Sequence, residues 1–251
     1  MIIKLKDRAV LKICGESKND ILKFLQQITS NNLLSDECNL VYALFLSGSG
    51  KFLFDGFIFF DDECVYIDCL KVIKNELNSH IKKYKARLNI RIEETKYNVY
   101  ADFNEAIDSS IIGGLIFDDP RNANLGKRVY LLEDIIGFNE DVNKYHLHRV
   151  ENSTPEGCYE MSIDQSFPIY FKMHEINAIS LTKGCYLGQE PTNRLYRTGV
   201  LRKEVVKFFL KEKSAHLQKG DKINDGVICS IFDGKFGFLI REKEDFNIDK
   251  L

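Results

Sequence analysis

Residues 183–190 read Lys183-Gly184-Cys185-Tyr186-Leu187-Gly188-Gln189-Glu190, and Pro191, Thr192, Asn193 and Arg194 follow. Two glycines bracket a thiol among polar and charged side chains. Glycine permits positive φ and close backbone approach, so the segment can form a compact loop with its amides turned inward. Lys183, two residues from Cys185, would favour the thiolate below the free-thiol pKa of ~8.5. A cysteine so placed can act as a nucleophile, a soft metal ligand or a redox-sensitive group. The ordinary alternative is a buried thiol in a tight turn ahead of a strand, the usual state of a free cysteine. The density of special residues around Cys185 weighs against it.

Working toward the N-terminus, strands and helices alternate. Arg8 to Cys14 reads as a strand stopped at Gly15. Ser17 with Asp20 forms a helix N-cap, and Ile21, Leu22, Leu25 and Ile28 make one apolar face. Val41–Leu46 and Phe52–Phe60 read as strands joined by a Ser-Gly-Ser-Gly turn, followed by a short strand from Cys64 to Asp68. Ile73, Leu77, Ile81, Tyr84 and Leu88 recur at helical spacing, and strands are expected near residues 90–93 and 97–101. Residues 113–133 look extended around a turn at Asp118–Arg121, and Val142–Val150 reads as a short helix. Beyond Arg202 come short strands at Val205–Leu210, Val227–Phe232 and Phe236–Arg241, the last two joined at Asp233-Gly234. Without regular βαβ repetition the pattern is α+β. It divides into residues 1–202, with two intertwined α+β subdomains, and a small β module over 203–251.

The chain has 251 residues, 44% hydrophobic and 29% charged, which suits a globular core. A net charge of −2 argues against a dedicated nucleic-acid binder. No run approaches the ~18 apolar residues of a membrane span. The N-terminal stretch is too charged for a secretory signal, and its Asp7 and Glu16 do not suit an acid-poor presequence, so a cytoplasmic location is expected. The seven cysteines are odd in number and irregularly spaced, which signals neither a disulfide framework, a zinc ribbon nor a redox pair. Cys64 and Cys69 read as buried structural thiols, and no four-thiolate cage is apparent. Ser47–Lys51 lacks the early glycine and the final Ser or Thr of a phosphate loop and reads as a hairpin turn. His146 and His148, two apart, fall on different helix faces and do not pair as ligands. No metal site is expected.

The run Lys183–Glu190 resembles the signature of the YgfZ family, Lys-Gly-Cys-Tyr/Phe-any-Gly-Gln-Glu, with every fixed position present. Arg194 and Thr198–Arg202 resemble the family's downstream segment. Asp119-Pro120-Arg121 with Gly126 and Arg128, Arg149 with Pro155-Glu156-Gly157, and Phe24-Leu25-Gln26 with Thr29-Ser30-Asn31 resemble its other elements, so the match spans most of the chain. The resemblance implies an aminomethyltransferase-like fold, that of the glycine-cleavage T-protein, with a central folate-sized opening and a small C-terminal β-barrel.

It also implies tetrahydrofolate or a one-carbon derivative as cofactor, and a role in maturing iron–sulfur enzymes, radical tRNA-modifying enzymes among them. Cys185 would be the key thiol, with Lys183 biasing its charge. Arg194 would hold an anionic folate tail, since guanidinium pairs with carboxylates bidentately. The family commonly has Pro-any-Glu where this chain has Pro168-Ile169-Tyr170. Tyr170 can stack on a pterin but cannot replace a bidentate acceptor, and Glu175 is the nearby acid that would substitute. Asp55 and Gln189 complete the expected cofactor surroundings. Expected partners are iron–sulfur enzymes or cluster carriers, with no direct nucleic-acid or membrane binding. Two rivals remain: an aminomethyltransferase, for which Phe54-Asp55 supplies one acid where T-proteins have two, and a non-catalytic partner-binding module.

Overall fold

The protein is seen here as a computed structural model that describes residues 1–35, 39–104, 114–134, 141–199 and 201–243. Three antiparallel sheets build it. The central one has five strands in the order β3–β4–β5–β2–β6: β2 is Arg8–Gly15, β3 Leu40–Leu46, β4 Phe52–Phe60, β5 Val65–Leu70 and β6 Ile90–Glu94. Strands β3, β4 and β5 are buried on both faces, and a doubly buried strand loses the alternation of a half-exposed one, which the edge strand β6 keeps.

One face carries Leu11, Ile13, Val41, Phe45, Ile58, Val65 and Ile67 and packs under two helices. Helix α1 (Lys18–Ile28) starts at Ser17, whose Oγ accepts from the Asp20 amide, and buries Ile21, Leu22, Leu25 and Ile28 as the periodicity requires. Helix α2 (Lys74–Tyr84) follows a tight turn at Lys71–Ile73 and buries Leu77 and Ile81.

The other face carries Val10, Tyr42, Leu44, Phe57 and Phe59 and meets a four-stranded sheet of order β1–β7–β9–β8. Its strands are β1 Ile2–Lys4, β7 Asn98–Asp102, β8 Leu115–Asp118 and β9 Lys127–Leu131. The rings of Phe59 and Tyr130, 4.5 Å apart, join the two sheets. Helices α3 (Val142–Glu151) and α4 (Gly157–Glu160) then lead through an irregular stretch to α5 (Gln189–Thr198).

The third sheet runs β10–β13–β12–β11, from Lys203–Phe209, Lys222–Ile223, Gly226–Phe232 and Phe236–Glu242. Asp233 and Gly234 both have positive φ in the three-residue turn between the paired Phe232 and Phe236. Among the described residues these strands form an open sheet, and the expected closure into a barrel is not seen.

The cysteine reading needs correction. Cys14 and Cys64 form a disulfide, with Cα atoms 4.7 Å apart. Ile13 pairs with Val65 across β2 and β5, and that register sets the next residue outward on each strand side by side. A sequence separation of 50 residues gives no hint of it. Cys69 is a buried free thiol, as expected.

Because Leu25 is fully buried under the central sheet, Leu25→Ala is expected to cost about 2–5 kcal/mol in chemical denaturation, through lost transfer energy and the cavity left behind.

Candidate functional site

A buried ionic cluster lies where the central sheet and the β1–β7–β9–β8 sheet meet α3 and α4. Arg8, on β2, donates from Nε to Asp68 Oδ1 at 2.7 Å, from Nη2 to the Asp68 carbonyl and from Nη1 to Glu156 Oε1 at 3.0 Å. Arg128, on β9, donates to Asp68 Oδ2 at 2.6 Å, and Tyr130 donates to the same oxygen. Arg121 chelates Asp119 and reaches Glu156 Oε2 at 2.6 Å, an oxygen that also accepts from Tyr145. Arg149 forms a two-pronged pair with Glu160, whose Oε2 also accepts from the Glu156 amide. The Phe57 ring sits beneath three of these guanidinium groups, the nearest being that of Arg128 at 3.7 Å from the ring centroid. Burial works to raise the Glu156 pKa, but Arg121 and Arg8 outweigh it and hold the carboxyl well below the usual range.

Asp55 lies beside this cluster and is fully buried. Tyr42 donates to its Oδ2 at 2.9 Å and accepts from the Gly157 amide. Burial pushes the Asp55 pKa up, with Arg8 opposing. Gly157 seals the carboxyl in: a Cβ there would lie 1.8 Å from Asp55 Oδ1, so this position requires glycine. Cys158 packs against the same carboxyl, and burial followed by Asp55 raises its thiol pKa.

The signature loop is gripped from one side and open on the other. Lys183 and Tyr186 are buried, while Gly184 and Cys185 are exposed. Lys183 Nζ turns to the end of α1 and donates to the carbonyls of Gln26, Thr29 and Asn31, each at 2.7 Å. Burial alone would push this ammonium down to about 7. Three carbonyls matched one to one with its three N–H bonds act in the opposite direction and favour the charge. The Leu187 amide donates to the Gln27 carbonyl at 2.9 Å. Gly188 has φ +83, and a Cβ there would lie 2.5 Å from the Ser47 carbonyl, so the Ser47–Lys51 turn buttresses the start of α5. Gln189 Nε2 donates to the Lys183 and Gly184 carbonyls at 3.3 and 3.4 Å.

The residues expected around a folate do not converge. Tyr170 lines a cavity of about 660 Å³ between the Pro168–Phe171 turn and the third sheet, with Phe167, Arg202, Lys219 and Cys229. Arg194 is exposed on α5 and lines surface grooves with Gln189 and Arg197 on one side and Phe167 on the other. Glu175 is exposed beside His174. A pterin amidine edge requires a carboxylate that faces the cavity with free lone pairs. Asp55 is sealed under Gly157, and Glu160, which lines the cavity, is held by Arg149 and the Glu156 amide. The residues expected to read a pterin therefore do not meet around this cavity.

Sequence reasoning missed α5 itself. The sequence assigns the segment no element, and it is a helix that Gly188 caps at the start and Gly199, with φ +62, ends. It also missed Cys158, for which no spacing gave a signal. His146 is buried as a satisfied residue, accepting at Nδ1 from Arg149 and stacking on Phe232 at 4.0 Å. Among the described residues no group of three or more His, Cys, Asp or Glu side chains gathers to hold a metal, and no helix is long and apolar enough to cross a membrane.

No protein-family model matches the chain. It is 29% identical over 252 residues to the mitochondrial iron–sulfur cluster assembly factor IBA57 homolog of Dictyostelium discoideum, covering 81% of this chain and 61% of that protein. It is 26% identical to iron–sulfur cluster assembly factor IBA57 of Mus musculus, covering 80% and 64%. It is 30% identical to the IBA57 homolog of Neurospora crassa, covering 85% and 54%. The chain thus spans less than two thirds of each of these relatives. The glycine cleavage system aminomethyltransferase T of Bartonella henselae superposes with a TM-score of 0.72 at 11% identity, over 96% of this chain and 78% of that one. The aminomethyltransferase T fold read from the signature is therefore the fold found. The expected cytoplasmic location is overturned: these relatives are mitochondrial proteins.

Two outcomes follow from the buried cluster. Glu156→Gln removes the carboxylate shared by Arg8 and Arg121 and should cost about 3–5 kcal/mol in chemical denaturation, because it leaves buried guanidinium groups underpaired. His146 is held neutral, its pKa pushed down from 6.5 to about 2 by burial and Arg149. Only the unfolded chain takes up that proton below about pH 6.5, so stability is flat above that value and falls as pH drops below it. Relative to His146→Gln, the wild type should lose about 2 kcal/mol between about pH 7 and about pH 5. Glu156, held ionised, adds nothing in that window.

Proposed function

We propose that the chain acts in iron–sulfur cluster assembly, with Cys185 as the thiol that meets a cluster or a cluster-bearing partner. The observation that carries this reading is the placement of Cys185. Among the described free cysteines, Cys69 and Cys229 are buried and Cys158 is half-buried, whereas Cys185 alone is exposed. It stands at the outer edge of a loop whose inner side is pinned to α1. A single exposed thiolate suits one ligand of a cluster shared with another protein, because a soft sulfur donor binds iron and no four-thiolate cage is present to hold a cluster alone. The names of the relatives, all cluster assembly factors, support the same reading. Its partners would be iron–sulfur enzymes or cluster carrier proteins.

Folate has no step in this proposal, since the residues expected to read a pterin do not meet around one cavity. Aminomethyl transfer is disfavoured for the same reason. Asp55, the one acid at the place where T-proteins carry two, is buried under Gly157. Shared fold does not carry shared reaction.

The test is complementation in a host lacking its own assembly factor of this type, with the activity of a radical iron–sulfur tRNA-modifying enzyme as readout. Wild type should restore activity, and an equally abundant, folded Cys185→Ala should not. Full rescue by Cys185→Ala would reduce the loop to a contact surface. No rescue by abundant wild type would remove the assembly role.

A further inference from the structure

An α-helix leaves its last carbonyls without partners inside the helix, and its C-terminal end carries partial negative charge. Helix α1 has no basic residue in its own last turn. The cation comes from far along the chain: Lys183 Nζ meets the Gln26, Thr29 and Asn31 carbonyls, 157, 154 and 152 positions away, at 2.7 Å each. Neighbouring contacts follow the same seam. The Leu187 amide caps the Gln27 carbonyl, the Ser180 amide donates to the Ser30 carbonyl, and Ser30 Oγ donates to the Ala178 carbonyl. The Tyr186 ring covers the ammonium from 5.0 Å. All three donors of Lys183 are thus taken by carbonyls at and just beyond the helix end, while Gly184 and Cys185 are exposed.

We propose that Lys183 is a positioning residue, a clip that fixes the Cys185 loop onto the end of α1, and that its charge serves the helix carbonyls and not the thiol. This rests on the reading of Cys185 as the working thiol. It reassigns Lys183 from tuning that thiol to holding it in place. The clip is specific to an ammonium. Three carbonyls arranged around one nitrogen match the pyramidal donors of lysine, whereas the planar fork of arginine cannot face all three.

The test uses the purified full chain with Lys183→Met and Lys183→Arg. Hydrogen exchange should show the Ser180, Leu187 and Thr29 amides losing protection by about tenfold or more in both variants, while amides of β3 and β4 keep theirs. The pH–rate profile for iodoacetamide alkylation of Cys185, read on its own peptide by mass spectrometry, should superimpose on that of the wild type. A profile displaced to higher pH in Lys183→Met, with amide protection unchanged, would overturn the proposal in favour of thiol tuning. Restored protection in Lys183→Arg would overturn the tripod.

Should both variants unfold, nitrogen NMR of the Lys183 ammonium in the wild type decides. Slow exchange of its protons and a resonance indifferent to alkylation of Cys185 support the clip. A resonance that moves on alkylation sinks it. None of these readouts involves cluster assembly, so failure of the assembly role would leave them standing, and failure of the clip would leave complementation unaffected.

Discussion

Glu156 is the pivot of the structure. One carboxylate, fully buried, accepts from Arg8 on the central sheet through one oxygen and from Arg121 and Tyr145 through the other. Asp68 binds Arg8 and Arg128 in the same way, so two acids join the central sheet, the four-stranded sheet and the segment leading to the signature loop. Taking several charges out of water is costly, and such a cluster is tolerated only when every member is paired with good geometry. That requirement fixes the relative placement of three parts of the chain more strictly than apolar packing alone, which tolerates sliding.

The elements were largely legible in the sequence. The periodicity of α1 and of the strands around it reflects burial on known faces, and the capping residues mark where they begin. What lay hidden was pairing at long range. Arg121, Arg128, Arg149 and Glu156 stood out individually as parts of a resemblance, but nothing in their spacing said that they gather into one ionic cluster. The cross-strand disulfide depends on the register between β2 and β5, which spacing cannot supply. The helix at 189–198 was missed because only Thr192 of its ten residues is buried, so it carries little apolar signal.

At the candidate site the sequence singled out the loop without showing how it is held. Lys183 looked like a neighbour of the thiol by number, yet its ammonium is taken up by carbonyls at the end of α1 while Cys185 is exposed. Asp55 looked like a ligand-facing acid by position in its strand, yet Gly157 closes over it. In both cases a residue from elsewhere in the chain decided the outcome. The fold superposes on that of an aminomethyltransferase, and a shared fold does not carry a shared reaction.

The cross-link between Cys14 and Cys64 turns the intervening chain into a closed ring, and α1 with its captured carbonyls lies inside that ring. Fraying that starts at the N-terminus can release β1, but it cannot draw α1 out past residue 14 without opening a covalent bond. The foundation on which the Cys185 loop rests is therefore tethered at both ends. The exposed thiol keeps its setting even when the edges of the molecule breathe.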